Sequence, residues 1–443
     1  MSALSFVPDL TGPATVLDRA RAKIAWRILP FVFVLYIIAW LDRANVSFAK
    51  TRMAASLGFS EAIFGFGAGI FFIGYFIFEI PGALLVERGS ARRFLCRIML
   101  TWGLCTMLIG FVPTKDQFYL LRFLLGAAEA GFFPGMIVYL THWFPAQARG
   151  RALSGLVIGT PGALAISAPL SSWMLGLNWL GWEGWRWLFV LQGVPAVVMG
   201  VVTWFYLTDR PGDAHWLAPE ERAAVEDELG REASAKGTRA RLGVWGALSQ
   251  PNVLMLAGSL FGTAVASYSF LFWLPSVIQR ELGTTAERAA LWTFLPYTGG
   301  VIAILVSGRS SDRLRERRLH AGIPLILAAV FLFLSSMPRQ PFWLLMIWLS
   351  LTVICWCAWM SPFWVLPTLS LSASAAAASI ALINSVGNLG GFFGPSLSGY
   401  LRKGGSSEMA VVGAQACAFL IAGVLILLLP IRQDSQAKNP TPS

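Results

Sequence analysis

Gly308-Arg309-Ser310-Ser311-Asp312-Arg313-Leu314-Arg315-Glu316-Arg317-Arg318 stands between two long apolar runs, and the acid-Arg-x-x-x-Arg-Arg pattern at its centre has an earlier copy. That copy is Glu87-Arg88, three residues, then Arg92-Arg93, and Asp312 follows Glu87 by 225 residues. Each copy comes after the second apolar run of a set of six. A repeat matched in both spacing and position reads as a duplicated half, an architecture common in membrane carriers that hold a solute between two related bundles.

Working outward, runs of about 20 apolar residues are long enough to cross a bilayer. They fall near 26–46, 62–84, 94–113, 117–140, 152–175 and 186–206, then near 253–276, 289–308, 321–338, 342–367, 378–400 and 410–430. The sequence therefore predicts an all-α polytopic membrane protein with twelve spans in two pseudo-symmetric six-helix halves. Expected boundaries are a tail at 1–23, halves at 24–207 and 251–431 joined by a linker at 208–250, and a second tail at 432–443. The linker segment from Leu217 to Ala233 has Pro219 and acids at its start, the signature of a helix N-terminus, and reads as a short helix on the membrane surface.

Composition agrees. Of 443 residues 56% are hydrophobic and 13% charged, against about 25% charged in soluble domains. The net charge of +11 lies between apolar runs rather than in a basic domain, which excludes nucleic acid as a partner. Five cysteines show no zinc-type spacing. No phosphate loop, metal-ligand cluster or nucleophile elbow is present, so neither an enzyme nor a metal or cofactor is expected. With both ends on one side, 23 of the 34 Lys and Arg fall on that side and nine on the other. The positive-inside rule makes it the cytoplasm, for a monomer in the cell (inner) membrane.

Charged residues at the centre of a span cost about 2.5–3.5 kcal/mol on insertion scales, and so mark function. Asp42 and Arg43 lie in the first span, Tyr75 and Glu79 in the second, Arg122 and Glu129 in the fourth. Arg122 and Glu129 are two turns apart on one face, about 10 Å. A guanidinium matches a carboxylate with a bidentate fork, and an acid beside it can exchange its proton as the pair opens and closes. An anion and a carboxyl would then compete for one Arg, coupling the anion to protons. Glu79, just before Pro81, reads as a brace for the acid-Arg loop. Ser361 and Trp364 in the tenth span and Asn384 in the eleventh are the polar groups expected to face a cavity.

The paired acid-Arg loops and twelve spans resemble the major facilitator superfamily. The first copy departs from the family loop at Ala83, Glu87 and Ser90. Leu41-Asp42-Arg43-Ala44-Asn45-Val46, Glu79-Ile80-Pro81, the run from Arg122 to Gly131, Trp143-Phe144-Pro145 and the run from Asn384 to Pro395 resemble the anion:cation symporter family. That resemblance implies proton-coupled uptake of a small organic anion such as tartrate, a sugar acid or an aromatic carboxylate. It implies proton coupling at Asp42 and Glu129, with Arg122 as the ion-pair partner of Glu129. It also implies anion contacts at Arg43, Tyr75, Ser361, Trp364 and Asn384, and gating loops at Glu87, Arg88, Arg92, Asp312, Arg313 and Arg317. The alternative is a major facilitator efflux antiporter for drugs or metabolites.

Overall fold

The computed structural model describes residues 15–236, 250–370 and 376–430, apart from a few side chains that include Glu87 and Arg88. Every regular element among the described residues is helical, as lipid requires of open chains that must pair their own backbone groups. The first half is α1 (Val16–Leu57), α2 (Glu61–Arg88), α3 (Ala91–Ile109), α4 (Lys115–Glu129) continued by α5 (Phe132–Thr141), α6 (Ala146–Leu175) and α7 (Gly184–Tyr206). The connection carries α8 (Pro219–Lys236). The second half is α9 (Pro251–Leu282), α10 (Ala286–Trp292) continued by α11 (Phe294–Leu314), α12 (Arg318–Leu334), α13 (Phe342–Phe363) with α14 (Leu366–Ser370), α15 (Ala376–Lys403) and α16 (Glu408–Leu427).

Counting each broken helix once gives twelve crossings among the described residues. Nine are long and apolar enough to span a bilayer among the described residues, and α12 is a shorter apolar helix. The other two are α3, which opens on Arg92, Arg93 and Arg97, and α15, which carries two Asn and ends on Arg402 and Lys403.

The duplication is visible in the packing. α3 lies on α7 as α12 lies on α16, α2 on α4 as α11 on α13, and α1 on α6 as α9 on α15. Between the halves, α2 meets α15 and α6 meets α11, a pair of contacts that exchange when the halves are swapped, while α1 meets α9. Residues related by the 225-residue offset touch along that last contact. Thr51 Oγ1 is 3.4 Å from Ser276 Oγ, and Arg43 Nη1 donates to Tyr268 Oη at 3.3 Å. The pseudo-twofold axis therefore passes between α1 and α9.

One boundary differs from expectation. The first helix starts at Val16, inside the predicted tail, because Thr15 and Asp18 close a reciprocal N-terminal cap and the added turns have partners. Lys23 Nζ is 2.7 Å from Glu221 Oε1, Arg19 lies 3.9 Å from Glu220, and Arg21 pairs with Glu228. For the same reason α8 is docked on α1 instead of lying alone on a membrane surface. Trp216 completes the dock, stacked on Trp143 at 5.4 Å and under the Arg27 guanidinium at 5.0 Å.

The two acid-Arg loops are held differently. Arg92 lies 3.9 Å from Asp209, which also accepts the Arg92 backbone N–H at 2.9 Å and the Ser90 hydroxyl at 2.6 Å. In the second copy Asp312 pairs within its own loop, 2.7 Å from Arg317, and Arg313 is exposed. The Glu87 and Arg88 side chains fall outside the described residues.

Candidate functional site

Successive residues on a helix point about 100° apart, so neighbours do not share a face. Asp42 and Arg43 accordingly part company on α1. Arg43 turns to a central cavity between the halves, where its Nη2 lies 2.5 Å and its Nε 2.7 Å from Glu129 Oε1. Its guanidinium is framed by the rings of Trp40, Tyr75 and Phe71 at 5.4, 5.2 and 5.7 Å. The Arg43 side chain keeps 15% exposure while Glu129 has none. The cation is partly exposed at the cavity, and its partner is buried against it.

The chain positions Glu129 by ending α4 there. Ala130 leaves the helical region and Gly131 takes φ 85° as the cap of α5, a left-handed conformation that glycine adopts without a Cβ clash. Above this break α4 runs close against α2. A Cβ on Gly126 would collide with the Phe71 carbonyl oxygen, so only glycine permits the approach.

That closeness decides what Arg122 does. Its Nε and Nη2 donate to the backbone carbonyls of Gly67 and Ala68 on α2 at 3.2 and 3.1 Å, and its guanidinium lies 4.9 Å from the Phe71 ring. The expected Arg122–Glu129 ion pair is therefore corrected: Glu129 pairs with Arg43. Two turns of separation leave Arg122 nearer to the carbonyls of α2 than to a carboxylate seven residues away.

Asp42 is 1% exposed and accepts from Asn45 Nδ2 at 2.9 Å. It faces Trp102 and Thr106 of α3, away from the cavity. Asp42 Oδ2, Trp102 Nε1, Thr106 Oγ1, Arg122 Nη1 and Glu129 Oε2 are all buried, and they gather as a polar cluster between α1, α3 and α4 behind Arg43.

The cavity measures about 140 Å³. The first half contributes Tyr36, Trp40, Arg43, Tyr75 and Glu129, and the second contributes Tyr268, Trp356, Trp359, Trp364, Asn384 and Asn388. Of the expected anion contacts, Arg43, Tyr75, Trp364 and Asn384 thus line one space. Ser361 is not among the residues lining it. It sits beside Gly308 of α11, where an added Cβ would meet its hydroxyl at 2.9 Å. The stripe of α13 and its C-cap facing the cavity is Trp356, Trp359, Met360 and Trp364, spaced as one helix face, and Ser361 is a step off it.

Sequence reading missed Tyr268, Trp356 and Trp359. Tyr268 had a signal, since it lies one repeat offset after Arg43. The two tryptophans are interior to an apolar run and had none. Among the described residues, no group of three or more His, Cys, Asp or Glu is placed to hold a metal ion.

At the face away from the start of α1, charged groups tie the halves together. Glu61 of α2 accepts from Lys50 at 2.7 Å and from the Trp273 indole of α9 at 2.8 Å, and Arg52 of α1 lies 2.5 Å from Glu287 of α10.

Over residues 32–395 the chain matches the family model described as Major Facilitator Superfamily. It is 40% identical over 412 residues to a protein of Agrobacterium vitis named "Putative tartrate transporter", covering 93% of this chain and 91% of that one. It is 38% identical over 383 residues to the "Quinolone resistance transporter" of Acinetobacter baumannii, covering 86% and 88%. Among solved structures, the inward open conformation of the xylose transporter XylE from E. coli matches with a TM-score of 0.75 at 15% identity, over 93% of this chain and 97% of that one. That last likeness bears on fold alone.

Proposed function

The chain belongs to the Major Facilitator Superfamily and is a membrane transporter, not an enzyme, and from that premise we propose that it is a proton-coupled symporter of a small organic anion. The observation that carries this reading is the Arg43–Glu129 pair at the wall of the cavity, with the cation reachable and the acid buried behind it. An ion pair withdrawn from water is held by the match between its partners, and removing one leaves an uncompensated charge. Protonating Glu129 would free the Arg43 fork, which then needs another carboxylate. An entering anion supplies it. Asp42, in the buried polar cluster behind, is the second proton site, and Arg122 braces α2 against α4. The tartrate named in the Agrobacterium vitis relative is an anion of the kind this chemistry selects.

We place the protein in the cell membrane with both ends in the cytoplasm, on the distribution of Lys and Arg, and acting as a monomer. Alternating access would break the Arg52–Glu287 and Glu61–Trp273 ties while the near side closes.

Efflux of a drug is the second reading, favoured by the quinolone resistance relative. The cavity of about 140 Å³ argues against it, since pockets for drug-sized ligands run to about 300–1,000 Å³.

The test is uptake into proteoliposomes. Under an imposed proton gradient the wild type accumulates tartrate above equilibrium, and Glu129→Gln exchanges tartrate across the membrane without accumulating it. Accumulation by Glu129→Gln equal to wild type removes the coupling role of that acid.

A further inference from the structure

Among the described residues Glu79 meets Asn384 and Ser385 rather than the acid-Arg loop. It sits on α2 with 5% exposure and reaches across the boundary between the halves to α15. Its Oε1 accepts from Asn384 Nδ2 at 2.6 Å and its Oε2 from Ser385 Oγ at 2.9 Å. Glycines let the two helices come close enough for this. A Cβ at Gly65 would meet the Pro395 carbonyl oxygen at 2.5 Å, and one at Gly69 would meet the Phe392 carbonyl oxygen at 2.8 Å.

The polarity of that contact has a consequence. An ionised carboxylate can only accept hydrogen bonds, while the Asn side chain offers a donor prong and an acceptor prong. With its nitrogen held by Glu79, the Asn384 amide cannot turn over. Asn384 lines the cavity and Glu79 does not, so the prong left for the cavity is the carbonyl oxygen. We propose that Glu79 is a positioning residue that locks Asn384 as a hydrogen-bond acceptor, so that the site prefers an anion bearing a hydroxyl over its deoxy analogue.

Other groups of the second half fit this division of labour. Trp359 is 4% exposed and Thr263 is 1% exposed, both line the cavity, and their Nε1 and Oγ1 atoms have no hydrogen-bond partner. The first half reads charge through Arg43, and the second half reads neutral oxygen groups. A site that orients a buried polar group toward a substrate hydroxyl discriminates strongly against the ligand that lacks it, because the group is then left unpaired.

The inference rests on the anion reading above, and the experiment separates the two. Affinities of the purified protein are measured for tartrate against succinate and for gluconate against hexanoate, in wild type, Glu79→Gln and Ser385→Ala. The wild type binds each hydroxylated acid at least about tenfold more tightly than its partner. Glu79→Gln, which keeps the shape but can donate as well as accept, loses most of that preference while succinate affinity stays within about twofold. Ser385→Ala removes the other bond to Glu79 and keeps the preference. An undiminished preference in Glu79→Gln overturns the proposal, as does an equal loss in Ser385→Ala, which would make Glu79 a packing residue. A wild type that binds all four acids alike overturns the proposal and leaves the anion reading standing. Failure to bind any of the four overturns both.

Discussion

Asp42 and Arg43 are adjacent in the chain and serve different compartments of the protein: Arg43 meets Glu129 at the cavity wall, and Asp42 is closed off behind α1 with Asn45. The helix does this by geometry alone, since adjacent residues differ by about 100°. One motif thus places a cation at the cavity and an acid in a buried polar cluster between α1, α3 and α4.

Because the two side chains face different spaces, their substitutions should separate. Arg43→Ala removes a forked cation, and hydrogen bonds to charged groups are worth about 1.5–3 kcal/mol. Tartrate affinity should fall about 10- to 100-fold, measured by calorimetry on the purified protein. Arg43→Lys keeps the charge without the fork and should fall between the two.

Asp42→Asn leaves the cavity wall untouched. Tartrate affinity should stay within about threefold of wild type, while proton-driven accumulation falls to the level of exchange. Parallel binding and transport assays check the split; a loss of affinity as large as that of Arg43→Ala would place Asp42 in the cavity.

Much of this was legible beforehand, and the limits are instructive. The repeat offset of 225 residues that links the acid-Arg loops also links Arg43 to Tyr268 and Thr51 to Ser276, so the contacts along the axis were recoverable from the sequence. The partner of Arg122 was not. Rise per residue gives depth in the membrane, but the direction of a long side chain depends on how near the next helix stands, and Gly126 brings α2 very near. Ser361 is a polar residue in an apolar span, and polarity alone does not give its direction: its position on the helix sets its hydroxyl beside Gly308. The Glu79–Asn384 bond joins residues 305 apart in different halves, and nothing local in either sequence predicts it.

The α2–α4 approach supports the site from behind. Gly126→Ala introduces a methyl group against the Phe71 carbonyl, with the Tyr75 nitrogen 3.0 Å away. Overpacking of this kind typically costs about 1–3 kcal/mol. Thermal unfolding in detergent should shift down by several degrees, and anion affinity should fall with it, because Phe71 and Tyr75 frame the Arg43 guanidinium.

At the far face, Arg52 and Glu287 cross between the halves at 2.5 Å, with Arg52 about half exposed. Exposed pairs contribute about 0.2–1 kcal/mol. Glu287→Gln should therefore raise the labelling rate of a cysteine placed at Tyr268 from that face by about two- to fivefold, and Arg52→Gln should add nothing further. A labelling rate unchanged in either variant would mean the pair does not hold the halves together.

The dock of α8 on α1 should respond to acid. Lys23 beside Glu221 holds its carboxyl below the usual value of 4.5, helped by the backbone N–H of Ala218. An acid whose folded value is depressed adds stability above its unfolded value, and that stability is lost as pH falls through the folded one. Protection of 219–236 against hydrogen exchange, corrected for intrinsic rates, should thus hold at pH 7 and drop about two- to fivefold below pH 4, the range of a surface pair whose cation is half exposed. Lys23→Gln should show the lower protection already at pH 7, with little further change on acidification. Equal protection of wild type and Lys23→Gln at pH 7 would assign the dock to the Trp216 stack under Arg27 instead.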